Sequence, residues 1–237
     1  MSRLQPELHR LYLSDSTASL VDAQGRARAL VLEVVQPAGW DALAMAWQGV
    51  QAELELPAPA IAMSGVDGVQ LWFSLEAPIA APRAHAFLES LRARFLADVP
   101  PQRVRLWPEP ATPPRHAAIV PALQSSGNWS AFVSPDLAAV FSDTPWLDIE
   151  PGDDGQATLL RGLQSIKPAA FEAALARLDA DARDAQAPAP SPAVERADPH
   201  PSSEATDDPR RFLLRVMSDE RVDMALRIEA AKALLPR

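Results

Sequence analysis

The 237-residue sequence contains no cysteine, which excludes disulfides and any thiolate-ligated zinc or iron–sulfur site. It has no apolar run approaching the roughly 20 residues that a membrane-crossing helix needs. An excess of cationic charge is also missing, the formal net charge being −9. Residues 1–185 carry 14 Lys and Arg against 22 Asp and Glu, and residues 207–237 carry 7 against 6. A surface that is basic all round is therefore excluded, and any grip on phosphates must be concentrated on one local face. No Gly-x-x-x-x-Gly-Lys-Ser/Thr loop occurs, so P-loop chemistry has no support. His9, His85, His116 and His200 stand at no metal-ligand spacing, and no metal site is expected from them. The segment MSRLQPELHR has no apolar core behind its charges and does not read as a signal peptide, so a cytoplasmic home is expected.

Hydrophobic residues make up 48% of the chain, enough to build a core, and the 24 prolines are unevenly spread. LHRLYLS reads as β-like, DAQGRA as a turn tightened by Gln24-Gly25, and ALVLEVV as a buried strand. Trp40, Leu43, Trp47, Val50 and Leu54 recur at helical spacing and predict an amphipathic helix over 40–55. Pro57 and Pro59 end it before a short strand, AIAMS. The Ser64–Gly68 turn then leads into VQLWFSL, and Pro78 and Pro82 precede a helix over 83–97. RVRLWP, AAIVPAL and WSAFVS supply further strand candidates, and a helix over 168–180 opens at Pro168. The expected fold class is α+β: a mixed or antiparallel sheet with helices packed on one face, over residues 1–180.

From 181 to 207 the chain has no aromatic residue and few large aliphatics, so it cannot offset the entropy of ordering and should be a disordered Pro/Ala-rich linker. Residues 208–237 then predict a small helical hairpin, opened by Asp208 as N-cap and Pro209 at the first helical position. Its apolar stripes, Phe212, Leu213 and Val216 in one helix and Met224, Ile228 and Leu235 in the other, are candidate partner-binding residues. So small a unit makes little core alone, and docking onto a protein partner, another copy or the main domain is expected.

The stretch 30–80 carries the resemblance with chemical content. LVLEVV, a Trp-containing helix and AMSGVDGVQLWFSLEAPI look like the core of the archaeo-eukaryotic primase superfamily, especially its bacterial and mobile-element primase-polymerases. That family has an acidic strand ending in Asp-x-Asp or Asp-x-Glu, followed by a Ser-Gly-x-x-Gly-x-His-x-Trp-Phe element. Ser64, Gly65, Gly68, Trp72 and Phe73 fall in register with the second element. The likeness extends over about 28–150 and implies a primase-like, RRM-type core. It also implies carboxylates that hold two divalent cations, Mg or Mn, against nucleotide phosphates.

The departures bear on activity. Gln70 stands at the histidine position and cannot carry positive charge, and the acidic strand offers Glu33 with Val34 and Val35 where a second carboxylate belongs. The third acid would be Asp148 or Glu150 in PWLDIEPG. Losing one electrostatic stabiliser in an active site costs about 100- to 1000-fold in rate, so these vestigial positions imply lost catalysis. Metal would enter only if catalysis were retained.

Arg103 and Arg105 with Trp72 and Trp107 would make a base-stacking, phosphate-holding surface, to which Ser64, Gly65 and Gly68 add turn amides. The plainer reading makes the arginines a solvated face and each tryptophan core. The run from Asp148 to Asp154 reads likewise as a solvated turn. The expectation is a non-catalytic primase-like module that binds single-stranded nucleic acid or nucleotide in a mobile-element or replication setting. The alternatives are a protein-interaction adaptor without nucleic-acid binding, and an active primase-polymerase using Glu33 and Asp148.

Overall fold

A computed structural model describes residues 3–14, 19–37 and 39–186. The expected hairpin at 208–237, with Phe212, Leu213, Val216, Met224, Ile228 and Leu235, lies outside the described residues, as does the linker beyond 186.

The first element is a helix, α1 (Leu4–Leu11), where the sequence reading placed a strand. Leu4, Leu8 and Leu11 fall on one buried stripe, and the helix uses that spacing rather than the local alternation of LYL. Strand β1 (Arg26–Val35) follows a turn in which Gly25 adopts φ +72°. Then come α2 (Gly39–Ala52), β2 (Ala60–Met63), β3 (Gly68–Ala80) and α3 (Ala81–Phe95), in the order the sequence predicts. In α2 the absence of a side chain at Gly49 is structural, because a Cβ there would sit 2.3 Å from the Phe95 ring. Strands β4 (Val104–Trp107) and β5 (Ala131–Val133) complete the sheet. AAIVPAL forms no strand; only Leu123 bridges to Trp129, since Pro121 lacks the N–H a ladder needs. The short α4 (Pro135–Ala138) precedes α5 (Asp153–Arg161). Asp153 and Asp154, read from sequence as part of a solvated turn, form the first turn of α5, where their charge suits the helix dipole. Helix α6 (Pro168–Gln186) runs past the expected boundary at 180.

The five strands are ordered β4-β1-β3-β2-β5, and every pairing is antiparallel. Helices cover both faces of this sheet rather than one. Leu30, Leu32, Val34, Leu71 and Phe73 pack under α2, α3 and α6 with Leu43, Phe87, Leu88 and Phe171. Val31, Ala62, Trp72 and Phe132 pack on the other side with Leu8, Leu11 and Tyr12 and with Ala157 and Leu160 of α5. Strand β1 is buried almost throughout, as its unbroken run of apolar residues requires when both faces are covered.

The second helical layer is tied down by two polar clamps. Arg10 donates to the Leu160 and Leu163 carbonyls at 2.9 and 3.0 Å and so closes the C-terminal end of α5. The side chain of Gln156 accepts from the Phe132 N–H at 2.7 Å and donates to its carbonyl at 2.9 Å. It thereby stands in for a neighbouring strand along the outer edge of β5. Among the described residues, no helix is long and apolar enough to cross a membrane.

Candidate functional site

The site forms on the α1/α5 side of the sheet, toward β4. In the antiparallel register Glu33 lies opposite Gln70 on β3 and opposite Arg105 on β4, while Val31 lies opposite both Trp72 and Trp107. Directly opposed residues share a face, and so do residues two apart. Register therefore gathers Glu33, Gln70, Trp72, Arg105 and Trp107 on one side.

Glu33 is a buried carboxylate, its side chain 5% exposed. Gly68 makes room for it, because a Cβ on that glycine would fall 2.5 Å from Glu33 Oε1. Burial pushes the Glu33 carboxyl above its ordinary range. The Arg105 guanidinium opposes that shift, as do hydrogen bonds from the Trp107 and Gln70 side chains, while the nearby Asp67 adds to it. Arg105 Nη1 lies 3.4 Å from Glu33 Oε1. The same guanidinium donates to both Asp67 oxygens at 2.9 Å each, a two-bond fork. That bonding to Asp67 raises the Arg105 pKa further. The cluster is thus one buried acid whose charge is answered from within the chain.

Gln70 acts as a relay. Its Oε1 accepts the Trp72 indole N–H at 2.8 Å, and its amide faces Glu33. Trp72 itself is 1% exposed and packs edge-on to Tyr12 (5.2 Å between centroids) and Phe132 (5.7 Å). This corrects the expectation that Trp72 offers a stacking surface: no face of its ring is open to a base. Trp107 is only partly buried.

The glycine turn is also internally committed. Ser64 Oγ accepts from the backbone N–H groups of Val66, Asp67 and Gly68 at 3.2, 3.2 and 2.9 Å. Gly65, at φ +80°, donates its N–H to the Pro145 carbonyl, and a Cβ there would meet Ser130 N at 2.7 Å. The amides that a phosphate-cradling turn would present are already used, by Ser64 within the turn and by the Pro145 carbonyl outside it. Arg103 likewise donates to the Gln36 backbone carbonyl.

Asp148 and Glu150 are exposed in the loop after Leu147, whose backbone exchanges hydrogen bonds with Trp129. Among the described residues, no group of three His, Asp or Glu side chains is placed to hold a metal ion. Glu33 with Asp148 or Glu150 does not form such a group, and the acid beside Glu33 is Asp67. Sequence reading passed over Asp67 although it lies inside the SGVDG turn. The available signal was register: once VQLWF pairs with LVLEVV, the turn must close next to Glu33.

Comparison with known families finds no matching family model, and none of the curated proteins matches the chain.

Proposed function

We propose that this chain is a non-catalytic module on a primase-like sheet, cytoplasmic, that binds single-stranded nucleic acid or nucleotide through its outer strand β4. The setting that suits such a module is replication or a mobile element. The observation that carries the reading is Arg105 bridging Glu33 and Asp67. Phosphoryl transfer needs carboxylates open to divalent cations and a cationic group on the incoming phosphate. Glu33 is buried and already countered by a guanidinium, and Gln70 is neutral and held by Trp72. Binding draws support from Arg105, whose side chain is 44% exposed, and from the partly exposed Trp107 two residues along the same strand.

The test is anisotropy of a labelled oligothymidylate at low salt. The expected result is salt-dependent binding, weakened by Arg103→Ala and Arg105→Ala; no binding at low salt overturns the reading. Manganese-dependent nucleotide incorporation that Glu33→Ala abolishes would establish an active primase-polymerase instead.

A specific observation favours the adaptor as the second reading. Arg10, Arg26, Arg83, Arg92, Arg94, Arg115 and Arg177 all pair with carboxylates, which leaves little uncommitted positive charge for a polyanion among the described residues. Under that reading residues 207–237 carry the contact, and a partner co-purifies with the full chain and is lost on their deletion.

A further inference from the structure

We propose that Asp67 is a built-in competitor for phosphate: its carboxylate occupies the Arg105 fork that a phosphodiester of single-stranded nucleic acid takes, and holds the site closed until displaced. This rests on the nucleic-acid reading above and adds its regulation.

The two Arg105–Asp67 bonds, 2.9 Å each and one to each carboxylate oxygen, are the geometry in which arginine receives carboxylate and phosphate alike. The two partners differ in how firmly they hold. Asp67 and Arg105 have side chains 38% and 44% exposed, so water and salt reach this limb of the pair. Glu33, 5% exposed and 3.4 Å away, lies beneath as the fixed limb and keeps the guanidinium over the sheet when Asp67 lets go. Release needs no rearrangement of the turn. The Asp67 N–H is held by Ser64 Oγ and its carbonyl by the Gln36 N–H, so only the carboxylate has to rotate. Trp107, on the same strand and face, supplies the adjoining aromatic surface. Arg103 differs in that its Nη1 donates to the Gln36 backbone carbonyl rather than to a carboxylate.

The experiment measures anisotropy of a labelled oligothymidylate of about 15 nucleotides, a length within one site of a single-strand-binding surface. Asp67→Ala in the full chain is expected to tighten binding by about two- to fivefold, the range an exposed ion pair commands. The salt slope should rise by about one phosphate contact. Asp98→Asn, which neutralises another exposed acid, sets the effect of charge alone and should fall short of Asp67→Ala. Because Arg105→Ala by itself strands Glu33, the arginine is removed in a Glu33→Gln background, where adding Asp67→Ala should bring no further gain. Three results overturn the proposal: unchanged or weaker binding in Asp67→Ala, an equal gain in Asp98→Asn, or a persistent gain without Arg105. If wild type binds and loses affinity without Arg105 while Asp67→Ala is neutral, only this inference falls. If neither wild type nor Asp67→Ala binds at low salt, the nucleic-acid reading falls with it.

Discussion

The two faces of the sheet are built from the same three central strands, yet they are held by different forces. Under α2, α3 and α6 the buried core is apolar, with Phe73, Phe87 and Phe171 at the centre. On the α1/α5 side an aromatic trio of Tyr12, Trp72 and Phe132 gives way, toward β4, to Gln70, Glu33 and Arg105. The first face depends on volume, and its buried residues carry no titratable group. The second depends on keeping a buried charge answered. A sheet covered on both sides can therefore carry a polar cluster on one because the other supplies most of the apolar burial.

That contrast breaks most visibly at Phe87. Its truncation to Ala should lower stability by about 3–5 kcal/mol by denaturant titration, the cost of a large core cavity. The loss should be the same at pH 5 and pH 8. A pH-dependent loss would show that the apolar face is coupled to the charged one.

Arg105→Ala should come next, at about 1–3 kcal/mol, the cost of a broken buried pair reduced because the arginine is half in solvent. Here pH matters. Glu33 is raised in the folded protein, so the folded state holds a proton the unfolded chain has released. Stability then falls as pH rises from the ordinary carboxylate value of 4.5 through the higher folded value. Removing Arg105 should steepen that fall, and Glu33→Gln should flatten it. A steep fall that survives Glu33→Gln would assign the dependence to another group.

Gln156→Ala tests whether the α5 layer is joined to the sheet by that one side chain. It leaves the Phe132 N–H and carbonyl without their partner and should cost about 1–2 kcal/mol. Hydrogen exchange should rise at Phe132 before it rises in β1; uniform exchange across the sheet would speak against a local clamp. The smallest effect belongs to the surface. Arg83→Ala, which removes the exposed pair with Glu172, should change stability by less than about 1 kcal/mol.

Much of this architecture was legible in the residues. The stripe from Trp40 to Val50, the turn at Ser64–Gly68 and the apolar run ALVLEVV encode α2, the β2–β3 hairpin and the buried β1 through local periodicity. Local periodicity misled at LHRLYLS, where a buried helix shows leucines that also alternate, and at AAIVPAL, where Pro121 removes an N–H that a ladder needs. The second helical layer was missed for the same reason: α5 begins in an acidic Gly-containing run, and its burial is set by Gln156, Ala157 and Leu160 meeting β5.

By itself the sequence determined α2, the buried strand β1 and the β2–β3 hairpin, and that one acid, Glu33, sits in an apolar strand. Those properties follow from neighbours a few residues apart. Only the tertiary structure decided that Arg105, 72 residues away, lies across that acid, that Asp67 holds its other side, and that Trp72 faces a closed core. Strand order and register set those distances. They result from the packing of two whole layers onto the sheet, which no local pattern encodes.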